Sequence, residues 1–513
     1  MSRLAPHSPL AAMAYAIRPA WTLLVLVLGL TPLHAAGPDL QLVDAVRNHD
    51  VAAARSLIEK RADVNQRSGD GGTALHWAAY HDSRELVDLL LRAGARVNST
   101  NDLGVTPLWV AASQGSRSSL TRLLDAGADP SLAPATGGTP LMLAVRDGDL
   151  ASTNALLGRG ADPNGVERAS GQSALMWAIA ERRSELVGIL LKAGANVHAR
   201  SKTSRRVVLL CCPTWVGDPE GTVEIDQGGL TPLLFAALNG DVACARRLLD
   251  AGAKVDELAA AGTTALVMAV HRGFAPLATL LLERGADPNA AAGGYAALHS
   301  AVLRGDQPIV RLLLARGASL NPRLATGTFL KRGSREFAFD KFLIGATPFL
   351  LASRVGDLAL MRLLADAGAD TTLRLEDGRS PLMVAAQGET TGAGARRGAA
   401  EPRVLEAVKL LIERGADVNA ADRAGNTALH VMAAKNPAFD SVIQLLADHG
   451  AALETPNREG KTPLALALAP PPPIRGQSTT VQTVKWRADY AAWVENQGRT
   501  STVDLLRTLS AKK

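Results

Sequence analysis

The sequence has few cysteines and few aromatic residues. Among its 513 residues there are 3 Cys, and Phe, Trp and Tyr together make up 4%. Three cysteines cannot form a disulfide framework. The scarcity of aromatic residues disfavours a β-sandwich or one thick core. Apolar residues still reach 47%, so Ala, Leu and Val must build the core, which suits thin, repeated helix pairs.

Concentrated positive charge is also absent. The formal net charge is +6, and no run of Lys and Arg reaches five residues. Nucleic-acid binding requires a dense basic face, so we predict no nucleic-acid partner. Arg is much more frequent than Lys, which hints at a GC-rich bacterial genome.

The N-terminus has the three parts of a secretory signal. Two Arg residues precede an apolar stretch over residues 21–30, and the small pair Ala35–Ala36 follows. The stretch is shorter than the roughly 20 residues that a membrane helix needs. We therefore predict a signal peptide over residues 1–36, cleaved after Ala35 or Ala36, and a periplasmic or secreted protein. An uncleaved signal anchor is the alternative, and the only membrane contact expected.

Gly-Ala dipeptides recur along the chain at intervals of 32 to 34 residues within each run. A fixed period of this length indicates a repeat architecture. The first run has Gly94, Gly127, Gly160 and Gly194, and the second has Gly252, Gly285 and Gly317.

Each period opens with a similar run, such as Thr106-Pro107-Leu108. Thr can cap the free N–H groups of a starting helix, and Pro fits the first helical position because its missing N–H would be unpaired there. A second stretch over residues 85–93 has apolar residues at helical spacing, and Gly94 can end that helix in a left-handed conformation. The unit is thus a helix, a turn, a second helix and an extended segment, which we call the finger.

These motifs resemble the ankyrin repeat over most of residues 40–469. The resemblance implies an all-α solenoid of about twelve helix-turn-helix units with short β-hairpin fingers. It also makes His76, His299 and His430 structural residues that tie neighbouring fingers together. Such an array buries each unit only against its neighbours.

The period also defines the predicted domain boundaries. We expect an N-terminal capping repeat, two runs of four and three repeats, a further run, and a terminal helix. Their respective residues are 40–68, 69–200, 228–322, 344–469 and 500–513.

Four insertions interrupt the period. Residues 201–227 and 323–343 lengthen fingers, and a flexible linker at 389–400 separates the two helices of one unit. A Pro-rich insertion at 470–499 is expected to contain a helix around residues 486–493. Two short strands within the first insertion, at 207–210 and 222–225, predict a hairpin that is either a recognition element or inert.

No enzyme motif is present, and we predict neither catalysis nor a cofactor. Gly460-Lys461-Thr462 lacks the earlier Gly of a phosphate-binding loop. Cys211 and Cys212, with Cys244 or His198, could bind a metal, but adjacent cysteines rarely chelate one ion well. We therefore predict no metal site.

By the resemblance, fingers and first-helix ends line a binding groove, so the protein is expected to be a monomeric scaffold for a protein partner. The alternative is an exported effector or enzyme with a site on the 201–227 insertion. In the later half Arg272, Arg304 and Arg354 suggest an acidic partner surface, unless they only keep the face soluble. The candidate binding residues are Tyr80, His81, Gln114, Arg146, Glu181, Asn239, His271, Arg272, Arg304 and Arg354.

Overall fold

The computed structural model describes residues 40–134, 137–209, 222–325, 343–388, 397–435, 439–468 and 500–512. The predicted signal peptide, Cys211, Cys212, most of the 323–343 insertion and the expected helix at 486–493 lie outside these ranges.

Helix pairs repeat along the whole described chain, which contains 24 helices and therefore twelve pairs. The chain divides into two compact units. The first consists of the residues up to Lys202 and of Gly229–Lys254. Its six pairs are α1 Gln41–Arg47 with α2 Val51–Glu59, α3 Ala74–Tyr80 with α4 Arg84–Arg92, α5 Pro107–Gln114 with α6 Arg117–Asp125, α7 Pro140–Asp147 with α8 Leu150–Gly158, α9 Ala174–Ala180 with α10 Ser184–Lys192, and α11 Pro232–Asn239 with α12 Val242–Asp250.

The second unit consists of Thr203–Gly228 and Val255–Lys513. It contains the strands β1 Thr203–Leu209 and β2 Thr222–Gly228 and six further helix pairs. These are α13 Ala265–Arg272 with α14 Ala275–Glu283, α15 Ala297–Leu303 with α16 Gln307–Ala315, α17 Pro348–Val355 with α18 Leu358–Asp366, α19 Pro381–Gln387 with α20 Arg397–Glu413, α21 Ala428–Ala434 with α22 Asp440–Asp448, and α23 Pro463–Leu468 with α24 Thr500–Ala511.

The opening run of each period forms the helix start that its chemistry predicts. In α5 the Thr106 hydroxyl accepts the backbone N–H of Trp109 at 3.1 Å, and Pro107 occupies the first turn. The same bond is made by Thr231 at 3.4 Å and by Thr347 at 3.3 Å. Each such cap stabilises its helix by about 1 kcal/mol.

Within each unit the first helices pack on one another in chain order. Their opening Leu residues are almost fully excluded from water: Leu75 is 1% exposed, Leu175 0% and Leu298 0%. Burying one Leu side chain contributes about 1.5–3 kcal/mol. Because Ala follows at the next core positions, for example Ala111 at 0% exposure, neighbouring helices can approach closely. The core is therefore a series of Leu–Ala layers between repeats.

Most fingers are tight turns closed by backbone hydrogen bonds, as when Asn101 N–H donates to the Val105 carbonyl at 3.0 Å. The resemblance predicts β-hairpins, but in the described fingers strand pairing is confined to the pair β1–β2 and to one bridge between Val166 and Ser173. The other fingers are too short for a ladder of bonds.

The hairpin expected in the 201–227 insertion is present and longer than the two predicted strands. β1 and β2 pair antiparallel in continuous register from Thr203 opposite Gly228 to Leu209 opposite Thr222.

The linker predicted over 389–400 is wrong at its end, because α20 begins at Arg397. Proline lacks an N–H and is usually tolerated only in the first turn of a helix, and Pro402 lies inside this one.

His76, His299 and His430 link successive repeats, as the resemblance implies. The Nδ1 atom of His76 accepts the N–H of Thr73 at 3.0 Å, and Nε2 donates to the Val105 carbonyl at 3.0 Å. Since a carbonyl can only accept, Nε2 must carry the proton. The Nε2 atom of His299 likewise lies 3.1 Å from the Pro322 carbonyl.

We predict that α15 loses stability in mild acid. Burial lowers the pKa of His299 from its ordinary 6.5 to about 4. Below pH 6.5 the unfolded chain binds a proton that the folded chain excludes, so stability present at neutral pH is lost as the pH falls toward 4. From pH 7.5 to pH 5 the loss is about 2 kcal/mol.

The measurement is native-state hydrogen exchange of peptides covering α15, corrected for the intrinsic exchange rate at each pH. Helix α9, whose sequence contains no His, is the internal control. A protection factor in α15 that tracks that of α9 between the two pH values would contradict the prediction.

Candidate interaction surface

The candidate residues lie at or just beyond the C-terminal ends of first helices. Gln114 ends α5, Glu181 follows α9, and both are exposed. Arg146 is half-buried and donates through Nε to Asp147 Oδ1 at 2.8 Å. In the N-terminal unit the helix ends thus carry side chains of mixed charge.

Tyr80 and His81 belong to a larger aromatic cluster. The Tyr80 ring packs edge-on against Trp77 at 5.8 Å and against His81 at 5.3 Å between ring centroids. The guanidinium of Arg47 lies 5.0 Å from the centre of the Trp77 ring, and His49 packs edge-on against His81 at 5.1 Å. The Trp77 side chain is only half-buried.

Several helix ends are joined to the preceding first helix by a hydrogen bond. His81 Nε2 donates to the Arg47 carbonyl at 2.8 Å, and Asn239 Nδ2 donates to the Ile179 carbonyl at 3.4 Å. Arg304 Nη1 donates to the carbonyl of His271 at 3.1 Å. These carbonyls belong to last turns, which lack an intrahelical donor. His81, Asn239 and Arg304 therefore have a structural role beside any role in binding.

Lys435 is a residue that sequence reasoning missed. Its Nζ donates to the Gln387 carbonyl at 2.9 Å and lies 4.1 Å from the centre of the Phe439 ring. Burial lowers the pKa of Lys435 to about 8, against the opposing effect of Glu401. Its position after α21 matches that of Arg304 after α15, and this correspondence of position was the signal available in the sequence.

The basic residues of the second unit lie on successive first helices. Arg272 and Arg354 are half-buried on α13 and α17, and Arg304 is exposed after α15. No hydrogen bond or ion pair joins the Arg354 side chain to another described residue. The structure brings Arg304 to His271 by the hydrogen bond above, and α15 packs on both α13 and α17.

The described residues offer little for catalysis. Cys244 is fully buried on α12, and burial raises the pKa of its thiol, so it is a poor nucleophile. Across the described ranges no group of three or more His, Cys, Asp or Glu side chains could hold a metal ion. Within the same ranges no helix is both long enough and apolar enough to cross a membrane.

The family model for ankyrin repeats (3 copies) matches residues 42–134, 132–201, 208–292, 233–323 and 398–480, which is more than half of the chain. The chain belongs to the ankyrin repeat family. This match confirms the all-α ankyrin fold expected from the sequence. Ankyrin repeats indicate a scaffold for protein–protein interaction, and proteins of this family are generally not enzymes.

Two known proteins illustrate the similarity. The ankyrin repeat and KH domain-containing protein mask-1 of Caenorhabditis elegans is 32% identical over 127 residues, which are 23% of this chain and 5% of that protein. The crystal structure of the human ASB11 ankyrin repeat domain has 26% identity and a TM-score of 0.38, covering 49% of this chain and 100% of that one. At this TM-score the superposition adds nothing to the family assignment.

We expect Arg304 and Arg354 to differ in their effect on stability. Arg304→Ala removes the donor to the His271 carbonyl and should lower the protection of α13 by about 0.5–1 kcal/mol. Arg354→Ala should change the protection of its own neighbour, α15, by less than that. Hydrogen exchange of peptides covering the two helices measures both effects, and equal losses would refute the assigned difference.

Proposed function

We propose that the protein is an exported, monomeric ankyrin scaffold that binds a protein partner through its first-helix ends and fingers. One observation carries the proposal. The framework positions, such as the opening Thr and Leu, recur from repeat to repeat and are buried, whereas the helix-end positions are partly exposed and differ between repeats. Tyr80, Gln114 and Glu181 illustrate this variety. Variable side chains on a constant framework are suited to recognising one particular surface.

The partner surface is proposed to be acidic where it meets the second unit. Arg272, Arg304 and Arg354 supply positive charge from three successive first helices. Complementary charge accelerates encounter and selects among partners more than it adds affinity. Arg304 donates through Nη1 to the His271 carbonyl and is still exposed. Its structural hydrogen bond therefore does not prevent contact with a partner.

The alternative of a catalytic site on the 201–227 insertion gains no support from the described residues. β1 and β2 form a hairpin, and Arg205 Nε lies 3.5 Å from Asp226 Oδ1. An exposed ion pair of this kind is not a reaction centre. Deleting the insertion tests the alternative, since a scaffold should remain folded and lose at most one partner.

The binding prediction concerns charge reversal at the helix ends. The triple variant Arg272→Glu, Arg304→Glu and Arg354→Glu should lose partners that the wild-type protein captures from an envelope fraction, as measured by quantitative mass spectrometry. The control variant reverses three exposed arginines associated with the second helices, Arg311, Arg316 and Arg362. Capture by the first variant at the control level would sink the proposed surface.

The export prediction concerns the mature N-terminus. Expressed with its full sequence in a bacterial host, the protein should be recovered from the periplasm or medium beginning at Ala36 or Gly37. Intact-mass measurement identifies the first residue. Placing an Arg in the apolar stretch, as in Leu26→Arg, should retain the protein in the cytoplasm, because the apolar segment is what the export machinery recognises. An unprocessed protein starting at residue 1 would contradict cleavage.

A further inference from the structure

Two arginines occupy the same place in consecutive fingers near the end of the second unit. Arg423 lies in the finger that Asp422 N–H and the Asn426 carbonyl close at 2.9 Å, and Arg458 lies in the finger that Asn457 and Lys461 close at 2.9 Å. Both are exposed, and no hydrogen bond or ion pair joins either guanidinium to a described residue. We call Arg423 and Arg458 the finger arginines.

The stem of each finger arginine is held against the preceding finger. Arg423 N–H donates to the Asp377 carbonyl at 2.9 Å, and Arg458 N–H donates to the Ala424 carbonyl at 3.0 Å. A Cβ on Gly425 would lie 2.9 Å from Arg458 N and 3.3 Å from its Cγ. The glycine thus lets the arginine stem rest on the finger, and a partly fixed stem loses less entropy when its guanidinium binds.

Three of the neighbouring carboxylates already bind other groups. Asp377 Oδ2 accepts Arg379 Nε at 2.7 Å, and Glu459 Oε2 accepts Lys461 Nζ at 2.8 Å. Asp422 Oδ1 accepts two backbone N–H groups within its own turn, at 2.8 and 2.9 Å. These carboxylates keep their charge, but none of them is bonded to a finger arginine, so the donors of both guanidinium groups remain available to a partner.

We propose that the finger arginines bind two carboxylates on one extended segment of the partner protein. This inference rests on the scaffold function proposed above and specifies the partner chemistry. Neighbouring repeats are about 10 Å apart, the diameter of a helix with its side chains. An extended segment in the polyproline II conformation advances about 3.1 Å per residue and has three residues per turn. Two carboxylates three residues apart therefore lie on the same side of the segment, about 9 Å from each other.

The preference for acidic side chains ends at the finger that precedes Arg423. Glu376 occupies there the place that an arginine has in the next two fingers. Its N and Cγ lie 3.1 Å from a Cβ built on Gly345. In the same way Arg423 and Arg458 lie close to Gly378 and Gly425, each a glycine of the preceding finger. The three successive fingers thus present one negative and two positive charges. A partner segment with an acidic side chain opposite Glu376 should bind less well, because like charges repel. Replacing Glu376 by a cation should allow the partner segment to bind through a third acidic side chain.

The experiment uses the full chain and two labelled synthetic peptides of identical composition at low ionic strength. One peptide carries Asp at every third position, and the other carries the same number of Asp residues in one block. Fluorescence anisotropy should show tighter binding of the spaced peptide. Arg423→Gln with Arg458→Gln should weaken that binding about tenfold or more, because two charge-assisted hydrogen bonds are removed. Glu376→Arg should strengthen it by about fivefold.

The control variant is Arg414→Gln, whose guanidinium pairs with Asp366 at 2.8 Å instead of facing a partner; its affinity should equal that of the wild type. Because Glu376→Arg predicts a gain, misfolding cannot imitate it. Equal binding of the two peptides, an unchanged affinity in the double variant, or tighter binding of a single-stranded oligonucleotide than of the spaced peptide would overturn the inference. If envelope capture still depends on Arg272, Arg304 and Arg354, the scaffold function survives that failure.

Discussion

The structure depends on one constraint, which is that no helix pair can bury its apolar side alone. A first helix such as α9 has seven residues, and isolated helices of that length are unstable in water. Contact with the next pair converts the exposed side of each repeat into core. Stability is therefore a sum over neighbouring interfaces, and residues needed for each interface recur at every period. The Leu–Ala layers are these recurring interface residues.

Polar groups obey the same nearest-neighbour rule. Asn65 donates from Nδ2 to the Gly94 carbonyl at 3.1 Å and accepts the Arg96 N–H at 2.8 Å. Asn289 makes the equivalent pair of bonds to Gly317 and Ser319, at 3.0 and 2.7 Å. Each bond satisfies backbone groups at the end of a second helix, where no helical partner exists. The side chains left for recognition are those that neither the core nor these links require.

The sequence predicts what depends on position within a repeat. Thr106 caps α5, Gly94 adopts a left-handed φ of 92° after α4, and His76 binds the next repeat, all as their places in the period imply. Contacts that depend on rotamers across two repeats could not be predicted. The guanidinium of Arg47 on Trp77 and the bond from Arg304 to His271 join residues 30 or more positions apart, and nothing in either local sequence identifies the partner.

The distribution of charge follows from the difference between donors and acceptors. Helix starts and tight turns expose N–H groups and so require acceptors, which Asp supplies at Asp50, Asp241 and Asp357. Arg has donors only and cannot serve there. It donates to carbonyls at helix ends, as Arg304 does, pairs with a carboxylate, as Arg414 does with Asp366, or stays exposed. Although the sequence has 49 acidic residues beside 55 basic ones, carboxylates that bind the chain's own backbone keep their charge but have fewer free oxygens to offer to a partner. The finger arginines illustrate this, since Asp377, Asp422 and Glu459 beside them already bind other groups.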